Sequence, residues 1–157
     1  MDFSVIIPAR YDSARLPGKL LKNIHGKTLI ERTYSNAILS ASKRVIIATD
    51  DERISDVAKT FGAEVCLTSD SHTSGTSRIA EAMELLGFAD DEIIVNVQGD
   101  EPMLSPMVID QVAKNLNESN MDMATLCEKI ETEELYFDPN CVKVVYNMRG
   151  KAMYFSR

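Results

Sequence analysis

Four short apolar runs, each separated from the next by a stretch of helical periodicity, constrain this chain more than anything else in it. Val5–Ile7 and Arg44–Thr49 (RVIIAT) read as buried parallel strands, Glu64–Thr68 (EVCLT) as a third, shorter strand and Glu92–Val97 (EIIVNV) as a strong fourth. Thr28 opens the first helix with a capping box, since Glu31 lies three residues on. Ile30, Tyr34, Ala37, Ile38 and Ala41 are its expected apolar face. Asp50 or Asp51 caps the next helix, whose stripe is Ile54, Val57, Ala58 and Phe61 and whose natural stop is Gly62. A third helix turns Ile79, Ala82, Met83 and Leu86 inward. Ser105-Pro106 supplies a cap and a first-turn proline for a fourth, with Ile109, Val112, Ala113 and Leu116 inward. Such strand–helix alternation predicts an α/β fold with a mainly parallel sheet and helices on both faces.

Beyond Met121 the pattern changes. Met121–Leu126 and Val142–Tyr146 read as shorter strands, with a helical turn near Thr132–Tyr136. Ala152–Arg157 reads as a strand in progress that stops without a cap or polar tail, so the expectation is a truncated or split chain. The methionines at 83, 103, 107, 121 and 123 read as core fillers. Cys66 and Cys127 sit in strand-like runs and read, with Cys141, as thiols in a reducing compartment rather than a disulfide framework.

Charge narrows the function classes. The chain carries −7, yet residues 1–27 carry +3, leaving −10 on the rest. A local basic patch on an acidic protein suits a compact anion better than nucleic acid. No apolar run approaches the ~20 residues of a membrane span, and no secretory leader is evident. The reading is of a soluble, cytoplasmic protein.

Three constellations carry chemistry. Arg10, Arg15 and Lys19 lie in a loop just after the first strand, where open α/β sheets bind ligands, with Pro17 and Gly18 allowing close backbone approach. On charge alone a solvated loop explains them equally well; their placement favours a polyphosphate site. No Walker A loop or G-x-G-x-x-G fingerprint is present. Asn96-Val-Gln98-Gly-Asp100-Glu-Pro102 ends the fourth strand. Asp100 there suits Mg²⁺ beside phosphates or, as plainly, a turn before Pro102, and Gln98 suits a polyol. Ser74-Gly75-Thr76-Ser77-Arg78 opens the third helix; its hydroxyls suit a cap or a base edge. Arg78 in a first helical turn opposes the macrodipole, which calls for an anionic ligand or a nearby carboxylate. His72 reads as a loop histidine, His25 as part of a turn, and Asp50 as a cap.

Together these segments resemble 3-deoxy-manno-octulosonate (Kdo) cytidylyltransferases. The family pattern I-P-A-R-x-x-S-x-R-L-P-G-K is met by Ile7 to Lys19, and Ala48-Thr49-Asp50 follows the second strand. His72 to Arg78 match H-x-S-G-T-[DE]-R except at Ser77, which replaces an acidic residue. Val95 to Pro102 match V-N-V-Q-G-D-E-P, and Asn140–Val145 and Tyr154–Arg157 match the closing motifs. The resemblance spans the chain. It implies a Rossmann-like nucleotide-diphospho-sugar transferase fold over residues 1–157, read as one nucleotide-binding domain. The implied reaction is Mg²⁺-dependent transfer of CMP from CTP to Kdo for lipopolysaccharide assembly. By position, Arg10, Ser13, Arg15 and Lys19 would serve the triphosphate, and Ser74, Gly75 and Arg78 the cytidine. Asp100 would bind Mg²⁺, and Gln98 and Arg157 would face the sugar; Lys19 and Asp100 are the implied catalytic pair. Family members are homodimers that continue for roughly another hundred residues, about a domain's length. That segment carries a second metal aspartate, so the chain alone is expected to bind CTP weakly and to be inactive. Rival readings are a cytidylyltransferase for another acidic sugar, such as an acylneuraminate, and a non-catalytic fragment or binding module.

Overall fold

The computed structural model describes residues 1–12, 16–119 and 121–157, and these form two compact units, Met1–Ala124 and Thr125–Arg157. In the first unit β1 (Phe3–Ala9) is buried at every position. A short hairpin, β2 (Asn23–Ile24) and β3 (Lys27–Thr28), turns at His25, which has positive φ as a turn residue can. Then follow α1 (Leu29–Ala37), β4 (Arg44–Thr49), α2 (Glu52–Thr60), β5 (Glu64–Leu67), α3 (Gly75–Leu86), β6 (Ile93–Asn96) and α4 (Pro106–Asn117). The sheet is parallel, in the order β5-β4-β1-β6, with Val5 opposite both Val45 and Val95.

Alternate residues of the strands feed two cores, as parallel strands covered on both sides must. Phe3, Val5, Ile7 and Ala9 join Val45, Ile47, Ile30, Ala37, Ile54, Ala58, Ile109 and Ala113 on the side of α1, α2 and α4. Ile6, Ile46, Ala48 and Cys66 meet Ile79 and Ala82 of α3 on the other. Each fully buried Ile or Val contributes roughly 1.5–3 kcal/mol of transfer free energy. The chain crosses from β5 to the far side of β1 to make β6, so the strand order reverses beside β1. That reversal opens a crevice at the carboxyl ends of β1 and β6.

Local signals fixed most boundaries. Thr28 Oγ1 accepts the Glu31 N–H at 3.3 Å, while the Glu31 carboxylate turns to Lys27 Nζ. Asp51, not Asp50, caps α2, accepting the Arg53 N–H at 2.9 Å. Gly62 follows with φ +77°. Ser105 precedes Pro106 with no side-chain cap bond; its carbonyl receives Val108 N–H instead.

Several expectations fail. Helix α1 stops at Ala37, where Ser40 Oγ donates back to the Ala37 carbonyl at 2.6 Å, so Ile38 (50% exposed) and Ala41 leave the core. Met121–Leu126 forms no strand and Cys127 is exposed. Met83, on α3, packs against the core of Ile6, Ile46 and Ile79, but Met103, Met107, Met121 and Met123 are exposed. The second unit holds α5 (Glu133–Phe137) and an antiparallel pair, β7 (Lys143–Tyr146) and β8 (Ala152–Ser156). Among the described residues no helix is long and apolar enough to cross a membrane.

Candidate active site

A cavity of about 370 Å³ lies at the strand reversal of the first unit. Three segments build it: Pro8, Ala9 and Arg10 leaving β1, Gln98, Gly99 and Asp100 leaving β6, and His72 to Gly75 with Arg78 at the start of α3. Lys19 and Leu20 close a fourth side.

Gly18 sets Lys19 in place. Its φ of +65° is open to glycine at little cost, and its N–H donates to the Tyr11 carbonyl at 2.9 Å, closing the loop. A Cβ there would stand 3.0 Å from Tyr11 Oη. The Tyr11 ring is in turn covered by the Arg53 guanidinium, 3.3 Å from its centroid. Lys19 begins a single 3₁₀ turn whose Leu20 is buried in the core, so the backbone that carries the lysine is anchored. It ends 2.6 Å from Asp100 Oδ2.

Asp100 is held by a turn that α1 supports. Thr33 Oγ1, wholly buried, donates to the Gly99 carbonyl at 2.9 Å, and Asn36 Nδ2 donates to the Pro102 carbonyl. Gly99 is closely packed: a Cβ would lie 3.3 Å from the Pro8 carbonyl, Ile30 Cδ1 and Leu20 Cδ1, so a side chain there would press on all three. Asp100 is thus both a turn residue and a carboxylate facing the cavity. Gln98 is exposed and donates from Nε2 to Asn96 Oδ1 at 3.0 Å.

At the third wall Ser74 is the N-cap of α3, its Oγ accepting the Ser77 N–H at 3.1 Å. Gly75 lets the helix start come within van der Waals reach of Pro8, where a Cβ would meet Pro8 Cγ at 3.1 Å. Arg78, only 3% exposed, donates to Asp50 Oδ2 at 2.7 Å, to Thr68 Oγ1 at 2.6 Å and to the Ser69 carbonyl. The nearby carboxylate that Arg78 requires is therefore Asp50, which supplies the charge that Ser77 does not. This pair ties the ends of β4 and β5 to the first turn of α3. His72 Nε2 lies 2.5 Å from Glu81 Oε2, which also accepts the Ser69 N–H at 2.8 Å. Those bonds, His72 foremost, hold the Glu81 carboxyl below the usual carboxylate range.

Seven of the sequence-expected residues meet here: Arg10, Lys19, Ser74, Gly75, Arg78, Gln98 and Asp100. Ser13 and Arg15 lie outside the described residues, and Arg157 belongs to the second unit. Sequence reasoning missed Thr33, Asn36, Glu81 and the pairing role of Asp50. For Thr33 and Asn36 a signal existed, since both sit at helical spacing beside the buried Ile30 and Ala37.

The chain is similar along all of its 157 residues to curated cytidylyltransferases. It is 68% identical to a 3-deoxy-manno-octulosonate cytidylyltransferase of Ruthia magnifica and spans 64% of that protein. It is 54% identical to the enzyme of the same name from Haemophilus influenzae, spanning 62% of it. In three dimensions it is similar to CMP:2-keto-3-deoxy-manno-octonic acid synthetase complexed with CTP. That match has a TM-score of 0.90 and 39% identity, covering 99% of this chain and 63% of the other. The chain thus spans a little under two thirds of the length of these relatives. The Rossmann-like fold expected from the sequence is the fold observed. Residues 4–157 match the family model described as cytidylyltransferase, and the chain belongs to that family.

Proposed function

We propose that this chain carries the CTP-binding portion of a Kdo cytidylyltransferase, acting within one nucleotide-binding domain over residues 1–157. The observation that carries the reading is the meeting of three cations, one of them held by Asp50, with a carboxylate and a helix N-terminus in one cavity at the strand reversal. In this reading Arg10 and Lys19, with Arg15 and Ser13 of the same loop, bind the triphosphate. Ser74, Gly75 and the start of α3 receive the cytidine, braced by Arg78 on Asp50. Gln98 serves the acidic sugar.

The anomeric hydroxyl of Kdo attacks the α-phosphate of CTP, forming CMP-Kdo and releasing pyrophosphate. No covalent nucleophile on the protein is required. The work of these residues is to align the two substrates and to spread the negative charge on the phosphates. The product would enter lipopolysaccharide assembly in the cytoplasm, and the whole protein would be a homodimer.

Asp100 is a fitting holder for Mg²⁺. It offers a hard carboxylate oxygen at the cavity, and among the described residues no cluster of three or more His, Cys, Asp or Glu is placed to cage a metal. Mg²⁺ suits that arrangement, because it is commonly held by one or two carboxylates, waters and substrate phosphates. When bound it would neutralise charge on the reacting phosphates.

Pyrophosphate release from CTP, Kdo and Mg²⁺ tests the reading, with this chain alone and with the segment by which its relatives are longer. Turnover that needs the second segment, and fails with N-acetylneuraminate in place of Kdo, is expected. No pyrophosphate under either condition contradicts the proposal.

A further inference from the structure

The ion pair at the centre of the cavity suggests a rule for the order in which its ligands enter. Lys19 Nζ and Asp100 Oδ2 are 2.6 Å apart, joining positions 81 residues apart in sequence. Both side chains keep contact with solvent, at 36% and 43% exposure, so both are open to a ligand entering the cavity. Resting on the reading above, we propose that Lys19 is a latch on Asp100. Its ammonium occupies the carboxylate until a nucleoside triphosphate draws it away, so a divalent cation gains Asp100 only together with the nucleotide.

A divalent cation on Asp100 Oδ2 would face the Lys19 ammonium as a like charge a few ångströms away, which opposes binding even in water. Among the described residues no cluster of three or more metal-ligating side chains offsets that cost. A triphosphate removes the conflict from both sides. Its oxygens attract the ammonium, a compact charge on a flexible stem that changes partner readily. They also give the cation the additional oxygen ligands that Asp100 by itself lacks. Arg10 lines the same cavity and adds to the attraction for the polyanion. Lys19 would thus have two partners in succession, and the exchange would couple the metal to the nucleotide.

The test is binding of Mn²⁺, read by electron paramagnetic resonance and water-proton relaxation, to the 157-residue chain without nucleotide. Lys19→Gln is expected to bind Mn²⁺ about threefold to thirtyfold more tightly than the unsubstituted chain, the range that loss of a nearby like charge gives in water. Lys19→Met, as a second neutral variant, should show the same gain. Adding Asp100→Asn to either should abolish it. Equal Mn²⁺ affinity with and without the Lys19 ammonium overturns the latch, as does a gain that survives Asp100→Asn. A parallel titration with CTP separates the two proposals. If CTP binds and the Lys19→Gln gain is missing, the latch alone fails. If the gain appears and CTP does not bind, the latch on a cation stands and the nucleotide reading fails.

Discussion

Strands β1 and β8 are both built mainly of apolar residues, yet Phe3–Ala9 is buried throughout while Ala152–Met153-Tyr154-Phe155 is exposed. The difference lies in their neighbours. β1 has a hydrogen-bonded strand on each side and helices over both faces, whereas β8 has one partner in a two-stranded sheet. An isolated pair of strands has no second layer against which to bury its side chains. Composition made both segments strands; layering made only one of them core. The cavity belongs to the layered unit, where each wall rests on a buried anchor such as Leu20, Thr33 or Arg78.

Matched substitutions in the two units can break this contrast. The largest effect is expected from Ile47→Ala, which removes a fully buried side chain and should cost about 4 kcal/mol. Phe155→Ala, at a half-exposed position, should change the unfolding free energy read by urea denaturation by less than about 0.5 kcal/mol. Similar costs at both positions would show that β8 is as well packed as β4. Polar anchors come next. Arg78→Met strands Asp50 and should cost about 3 kcal/mol. Lys143→Met, which loses only a bond to the Asp138 carbonyl, should cost no more than about 1 kcal/mol in the same denaturation series.

Helix caps give a smaller and closely matched pair. Thr28 and Thr132 each accept a backbone N–H at 3.3 Å, from Glu31 and Leu135. Thr28→Ala should cost about 1 kcal/mol, while Thr132→Ala should leave global unfolding unmoved because α5 has no buried residue. Acid sensitivity is the finest probe. The Glu92 carboxyl is held below its ordinary value, first by Lys43 at 2.6 Å and then by Ser4 Oγ. A lowered pKa in the folded state contributes stability above the unfolded value, and that contribution is lost as pH falls through the folded one. Glu92→Gln should therefore flatten the decline in melting temperature below about pH 4.5. An unchanged acid limb would remove Glu92 from the account.

The same contrast explains what could be read in the residues. Strands β1 and β4 were legible because burial on both faces leaves uninterrupted apolar runs, whereas β5 and β6, the partly buried edge strands, were legible only as short runs between helical stretches. Met121–Leu126, Cys127 and the methionines at 103, 107, 121 and 123 misled because apolar character says nothing about whether a covering layer exists. Ile38 and Ala41 misled because Ser40 offers the last turn of α1 a competing bond. Within the site, Arg10, Lys19 and Asp100 were legible by their position after strands. Asp50 was not, because a carboxylate after a strand suits a cap as well as a buried partner, and only the fold brings Arg78 to it. The support of Asp100 by Thr33 and Asn36 joins positions 66 residues apart, a distance local patterning does not reach.

The central claim is that the crevice between β1, β6 and the start of α3 takes the nucleotide while the β7–β8 pair does not. Amide NMR shifts of the chain titrated with CTP and Mg²⁺ test it directly. The account predicts progressive shifts at Ala9, Arg10, Lys19, Gly75 and Gly99, with Lys143–Tyr146 and Ala152–Ser156 unmoved. Shifts confined to those two strands, or none at the crevice at millimolar CTP, would contradict it.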